Sequence, residues 1–466
     1  MYIEQLYTGC LAEAAYYIES EGEAVIIDPI RETSPYLEMA AARGSKIKYI
    51  FETHFHADFV SGHIDLAAET GATIVYGPGA NPKYDTHIAT DGEKFQIGKI
   101  TFEVLHTPGH TLESSCYLLR DEAGKDHAIF SGDTLFVGAV GRPDLAVKGE
   151  RSVSPEELGS LMFDSLQNKI MPLADDVLVY PAHGPGSACG KGIGKETWST
   201  IGVQKATNYA LQPMSREEFI HQVTENLPAP PAYFFEDARI NQSGYDSIDA
   251  VMLKNSNPLS PEDAKAALED GAIVLDTRTA PHFEKGFIKG AINIGLNGGF
   301  AVWVGTLMPI TQKLVIVADV GRESESIMRL ARVGYENIAG YLQGGMGAWT
   351  AKGFRTEHIE TIAPTAIPSE MKAANTQLID VRKPSDFGNG HVIGAKHFEL
   401  DFLEKNLGQL DSEANYVVHC QGGYRSMIAA SIMKAHGFRN VKNVDGGYGA
   451  ISKTDIPTEE GSPAMA

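Results

Sequence analysis

Cysteine is scarce in this chain, four in 466 residues. That is too few for a disulfide framework. It points to a reducing cytoplasm and leaves each thiol to be read as reactive or merely buried. Cationic residues are in deficit too: 39 Lys and Arg face 60 Asp and Glu, a formal net charge of −21. With the acids spread along the chain, no nucleic-acid or anionic-membrane partner is expected, and the few cations should gather where anionic substrates are handled. No apolar run approaches the roughly 20 residues that cross a bilayer. Met1-Tyr2-Ile3-Glu4-Gln5 lacks the basic and apolar regions of a signal peptide. A cytoplasmic protein is therefore expected. The remaining composition, 43% hydrophobic and 21% charged, is globular, and the length calls for about three domains rather than one core.

Against this ordinary background stands Thr53-His54-Phe55-His56-Ala57-Asp58-Phe59, directly after the apolar run Ile47-Lys48-Tyr49-Ile50-Phe51. Two imidazoles and a carboxylate crowded at a strand's end exceed what solvation needs and suit a divalent first-row metal. The arrangement recurs downstream. Strand-like residues 100–104 run into Leu105-His106-Thr107-Pro108-Gly109-His110, residues 127–130 into Ser131-Gly132-Asp133, and residues 177–180 into Pro181-Ala182-His183-Gly184. Helices are expected over 35–43, stopped by Gly44, and over 64–69, before Gly71. Strands that repeatedly end in loops carrying His or Asp are how an α/β sandwich aims several ligands at one point.

The set T-H-x-H-x-D, T-P-G-H, S-G-D and P-A-H resembles the metallo-β-lactamase fold, and within that superfamily the persulfide dioxygenases. Supporting details are Ile27-Asp28-Pro29, Gly141-Arg142-Pro143-Asp144-Leu145 and Cys189-Gly190-Lys191. The resemblance implies an αββα sandwich over residues 1–250. It also implies one iron(II) per chain on His54, His110 and Asp133, which leaves about three coordination positions open. His56, Asp58 and His183 would then stand behind the ligands, orienting them or bound water; the plainer alternative is that they satisfy loop backbone. Hydrolases of the superfamily carry His where this chain has Phe59, which cannot ligate, so a dinuclear hydrolytic site is not expected. By the same resemblance Arg142 holds an anionic thiol substrate, with a surface ion pair as the alternative. Cys189, six residues beyond His183 in a Gly-rich loop, reads as a substrate contact or sulfur relay whose thiolate Lys191 could favour. Cys10 and Cys116, at or within strand-like segments, read as structural.

Residues 213–257 read as a connector packed on the first domain. Ser215 and Glu218 fit a capping box, and Pro228, Pro230 and Pro231 end the helix. The remainder is an internal repeat. Val274-Leu275-Asp276-Thr277-Arg278 matches Leu378-Ile379-Asp380-Val381-Arg382, and Gly344-Gly345-Met346-Gly347-Ala348 matches Gly446-Gly447-Tyr448-Gly449-Ala450. Each copy alternates strand and helix as a small parallel-sheet α/β domain, over 258–355 and 366–460, with Pro364 and Pro368 marking the linker. Both resemble the rhodanese domain.

The copies differ where chemistry would occur. In the second, the strand ending at His419 delivers Cys420, followed by Gln421-Gly422-Gly423-Tyr424-Arg425-Ser426 and a helix. Loop N–H groups at a helix start form an anion cradle and should favour thiolate. Cys420 therefore reads as a nucleophile carrying persulfide sulfur and Arg425 as an anion-binding partner, with Gln421, Gly422, Gly423, Tyr424 and Ser426 forming the substrate loop; an inert buried thiol is the alternative. The first copy has Asp319 at that position, so it should be silent in sulfur transfer.

The expected function is oxidation of a low-molecular-weight thiol persulfide with O2 to sulfite and thiol, coupled to sulfur transfer that forms or uses thiosulfate. One alternative is a zinc thioester hydrolase of the glyoxalase II type with a passenger rhodanese. The other is a sulfur carrier or sensor with a structural metal, against which the open coordination positions count. A homo-oligomer through the silent copy is the one macromolecular partner this reading allows.

Overall fold

A computed structural model describes residues 1–145, 153–225, 227 and 229–461. Its contacts group into two units, Met1–Val251 with Ala331–Gly334 and Met252–Leu330 with Tyr335–Ala466.

Among the described residues, the first unit holds two six-stranded sheets. One is ordered Tyr2–Thr8, Glu13–Ser20, Glu23–Ile27, Lys46–Phe51, Thr73–Tyr76, His87–Ile88; the other Ser199–Thr200, Leu178–Pro181, Asp126–Gly132, Ser115–Arg120, Ile100–His106, Lys94–Ile97. Strand alternation sorts the side chains. Tyr117 and Leu119 join Phe51, Val75 and Ile27 in the core between the sheets, whereas Cys116 and Leu118 face outward onto helix residues Met162, Leu166, Phe219 and Val223. The product is the αββα sandwich expected.

Strand direction brings the loops together. Glu23–Ile27 and Lys46–Phe51 run parallel, as do Asp126–Gly132 and Leu178–Pro181. Ile100–His106 is antiparallel to Ser115–Arg120, which is antiparallel to Asp126–Gly132. Two reversals restore direction, so the segments leading to His110, Asp133 and His183 leave the same edge of one sheet.

The helix Arg216–Thr224 carries the expected capping box of Ser215 and Glu218 and buries Phe219 and Val223 against the first unit's helical layer. Pro228 lies outside the described residues. The helix Pro155–Ser165, capped by Ser154 and Glu157, was legible as Ser-x-x-Glu but was not anticipated. The expected first-domain end at residue 250 falls inside the helix Ile248–Asn255.

Among the described residues of the second unit, two five-stranded sheets share one strand order, each with parallel pairing throughout. The repeat extends to buried chemistry. Asp276 and Arg278 pair at 2.6 Å and Arg278 reaches the Gly286 carbonyl at 2.9 Å; Asp380 and Arg382 pair at 2.6 Å and Arg382 reaches Gly390 at 2.7 Å. The linker prolines do not hold an extended segment. Pro364 opens a 3-10 turn, Pro364–Ala366, and Pro368 sits in the first turn of Ile367–Glu370, where a missing N–H costs nothing.

Candidate metal centre and cysteine loop

His54, His110 and Asp133 are buried, and each offers a ligand atom within 4.8 Å of the others. His110 Nε2 lies 3.2 Å and His54 Nε2 3.9 Å from Asp133 Oδ2. Both Nε2 atoms and both Asp133 oxygens lack hydrogen-bond partners, which is costly for buried polar groups unless a further group completes them. The opposite ring nitrogens are committed. Thr53 gives its hydroxyl proton to Asp28 Oδ2 at 2.9 Å and so accepts from His54 Nδ1 at 2.9 Å. His110 Nδ1 donates to the Arg142 carbonyl at 2.8 Å. Each ring thereby commits Nδ1 outward and turns Nε2 inward, the orientation a metal ligand requires. Burial, then the neighbouring imidazoles, holds His54 well below the usual histidine range. The donor set fits a divalent metal.

Behind it lies a second group, His56, Asp58 and His183, with ligand atoms also within 4.8 Å. His183 Nε2 is 3.4 Å from Asp58 Oδ2 and 3.6 Å from Asp133 Oδ1, and its Nδ1 donates to the Ala12 carbonyl. His56 turns its Nε2 to Asp28 Oδ1 at 3.0 Å. Burial alone would lower His56, but Asp28, Glu52 and Asp58 raise it to about 10. The Phe59 ring covers the His56 ring, with centroids 4.4 Å apart.

Arg142 is held inside the fold by an ion pair. It is 3% exposed, and its guanidinium forks onto Asp144 at 2.6 and 2.8 Å. Its backbone carbonyl orients His110. The expected help from Lys191 to Cys189 is absent: Lys191 Nζ meets the Glu225 carbonyl at 3.4 Å. Cys189 is buried with a ligand atom near those of Asp133 and His183, and burial, followed by Asp58 and Asp133, pushes its thiol well up. Cys116 is buried in a strand beside Thr107, its thiol pushed up to about 11 by burial; Cys10 sits in the turn after the first strand.

Asn241, on the helix Phe234–Ser243, was missed by sequence reasoning. Its amide donates to the His56 and Phe59 carbonyls at 2.8 Å each and accepts the Ser61 N–H at 2.9 Å, clamping the ligand loop. No local signal marks it. Asp28 was noted only as part of a motif; it holds φ +50°, a conformation costly for a residue with a side chain, and its carboxylate serves Thr53 and His56 together.

In the second unit Cys420 closes the strand Asn415–His419 and is 1% exposed. Its Sγ accepts the Gly423 N–H at 3.2 Å, and Gly423 (φ +97°) caps the helix Tyr424–Ala435. The repeated Gly-Gly motif cinches this loop: Tyr448 N–H meets the Cys420 carbonyl at 2.7 Å and Gly449 N–H that of Gln421 at 2.9 Å. A Cβ on Gly447 would sit 2.4 Å from the Cys420 carbonyl oxygen. Gln421 is exposed and faces Arg382, with 3.5 Å between Oε1 and Nη1. Gly422 is exposed as well. Arg425 stands 3.5 Å from Asp386. Two expected substrate contacts are engaged elsewhere: the Tyr424 hydroxyl donates to the Gly295 carbonyl, and buried Ser426 bonds Asn443. In the first copy Asp319 accepts from His282 at 2.9 Å, and the Gly321 N–H of the matching loop is taken by Glu323.

The Metallo-beta-lactamase superfamily model matches residues 8–183. The human mitochondrial persulfide dioxygenase ETHE1 is 30% identical over 211 residues, 45% of this chain and 74% of that protein. The chain belongs to the metallo-beta-lactamase superfamily. The Rhodanese-like domain model matches twice more, at 260–352 and 364–454, so this superfamily member carries two rhodanese-like domains. A metallo-beta-lactamase crystal structure from Staphylococcus aureus subsp. aureus COL is 34% identical with a TM-score of 0.64, covering 73% of this chain and 98% of that one. Hydroxyacylglutathione hydrolase of Tolumonas auensis is 36% identical over 172 residues, 36% of this chain and 60% of that protein. The chain spans less than two thirds of the hydroxyacylglutathione hydrolases it matches. Among the described residues no helix is long and apolar enough to cross a membrane.

Proposed function

We propose that the chain is an iron-dependent persulfide dioxygenase joined to a sulfurtransferase. In the first reaction a low-molecular-weight thiol persulfide, O2 and water give thiol, sulfite and two protons. The sulfane sulfur loses four electrons and O2 takes up four. Ferrous iron held by His54, His110 and Asp133 would supply the redox chemistry that the reaction of a sulfur anion with O2 needs. The chain's own part is to hold both imidazoles with Nε2 inward, through Thr53 and the Arg142 carbonyl. Burial of every ligand excludes bulk water from the reacting sulfur, and Asn241 fixes the loop that carries His54. One observation carries this reading: inward-facing Nε2 and carboxylate atoms without partners, whose outward nitrogens are all tied to oxygen acceptors.

In the second unit Cys420 thiolate would attack the outer sulfur of a low-molecular-weight thiol persulfide, breaking its S–S bond and releasing the thiol, to form a Cys420 persulfide; attack by sulfite on that outer sulfur would release thiosulfate and restore the thiolate. The Gly423 N–H steadies the charge on Sγ, and Arg425 favours anionic partners at the loop. The carboxylates Asp319 and Glu323 make the first copy unsuited to this step.

A second reading is a zinc hydrolase of S-acyl thiols. It is favoured by the His56, Asp58 and His183 group, which lies close enough to hold another cation, and by likeness to hydroxyacylglutathione hydrolases. Oxygen uptake by iron-loaded protein with a panel of thiol persulfides separates the two. Uptake with sulfite release, lost in His110→Ala and retained in Cys420→Ser, is expected; hydrolysis of an acylated thiol without uptake would favour zinc. Thiosulfate formation that survives Cys420→Ser would remove the role given to that residue.

A further inference from the structure

The helix behind Cys420 is covered more completely than one domain achieves alone. Eight consecutive residues of Tyr424–Ala435, Ser426 through Met433, are buried, so no helical face is left to solvent. The additional cover comes from the first rhodanese copy. Asn293 donates its N–H to Ser431 Oγ at 3.0 Å. The Tyr424 hydroxyl donates to the Gly295 carbonyl at 2.8 Å. Gly298 lies against the Tyr424 ring so closely that a Cβ there would be 2.4 Å from Cζ; only glycine admits the ring. Tyr424 directly follows Gly423, whose N–H holds Cys420 Sγ. Both copies also line one cleft of about 440 Å³, the first through Pro281, Glu284 and Asn297, the second through Gly422, Gly423 and Tyr424.

We propose that the copy without a cysteine is a positioning element of the sulfurtransferase site: its Gly295–Gly298 turn is a socket for Tyr424, and seating that ring sets the Gly423 N–H against Cys420 Sγ. The inference rests on the reading of Cys420 as the sulfur carrier. Asp319 stands in the first copy where Cys420 stands in the second, and the socket gives that copy a structural role beside the second. Tyr424 is a positioning residue, acting through Gly423.

The test uses the full chain and two readouts: the rate of Cys420 alkylation by iodoacetamide, followed on its peptide by mass spectrometry, and sulfur transfer from thiosulfate. Gly298→Ala and Tyr424→Ala should each slow both by tenfold to a hundredfold, the scale of a misplacement of about 1 Å. The double variant should be no slower than Tyr424→Ala, because both act through one ring. Tyr424→Phe, which keeps the ring and loses the bond to Gly295, should slow both about threefold. Folded Gly298→Ala reacting at the wild-type rate, or single effects that multiply in the double variant, would overturn the socket. Should Gly298→Ala not fold, Tyr424→Phe decides: slowed alkylation supports the seat and an unchanged rate overturns it. A wild-type Cys420 that alkylates readily but never carries persulfide sulfur would instead sink the sulfur-carrier reading, and alkylation of the variants would still report on the socket.

Discussion

Single side chains carry the metal-centre geometry, and the decisive ones are not all ligands. His54, His110 and Asp133 stood out in the sequence because each follows a strand, His54 within a dense run of His and Asp, His110 and Asp133 beside Gly109 and Gly132. Thr53 was readable only as a letter in a motif; its hydroxyl, fixed by Asp28, decides which nitrogen of His54 faces the metal. Gly132 at φ +51° packs on it so closely that a Cβ would lie 2.6 Å from Oγ1. Thr53→Val should therefore lower metal affinity by about 10- to 100-fold, measured by competition with a chromogenic chelator, while Thr53→Ser should bind nearly as wild type. Equal affinity in all three would show that Thr53 does not set the tautomer. The partners of Arg142 and Tyr424 were not legible for one physical reason: residue type and position near a site do not say which way a side chain turns. Asp144 and the Gly295 carbonyl hold them elsewhere.

At the scale of elements, strands and helix starts were legible and long-range clamps were not. The four strand-to-loop transitions and the Ser215 capping box follow from local pattern. Asn241 lies 185 residues from His56, and nothing near it in the chain announces the contact. Asn241→Ala should leave the His56 and Phe59 carbonyls and the Ser61 N–H unpaired and destabilise the first unit by about 1–3 kcal/mol, seen as a lower denaturant midpoint; an unchanged midpoint would mean water replaces the amide without cost. In the second copy, burial acts to raise Asp380, but Arg382 and His419 hold its carboxyl below the usual range. A depressed carboxylate contributes stability that is present above its unfolded value of about 3.9 and is lost as pH falls through the folded value. Arg382→Met strands the buried carboxylate, so it should destabilise by about 3–5 kcal/mol at neutral pH and move acid unfolding to higher pH. An acid transition in the same place as wild type would contradict this. The matching Asp276 is pushed up by full burial despite Arg278, so the first copy should lack that protection.

Across the whole molecule, the order of one sandwich and two repeats was legible from periodicity and internal matches. The use of the silent copy was not, because its socket exists only once two distant segments are folded together. The metal should be felt as stability: the partnerless atoms of His54, His110 and Asp133 gain partners only when it binds, and binding to the folded state alone adds about 2.7 kcal/mol at a hundredfold excess over Kd. Chelation should lower the unfolding temperature of the first unit, and restored metal should return it; no shift would mean the cluster is satisfied without a cation. The most direct trial is to load the protein anaerobically with ferrous iron, count metal per chain, and follow O2 consumed against sulfite formed with a thiol persulfide in the same sample. One iron per chain with equal O2 and sulfite is the expected result; two zinc ions per chain, no O2 consumed and turnover of an S-acyl thiol would contradict it.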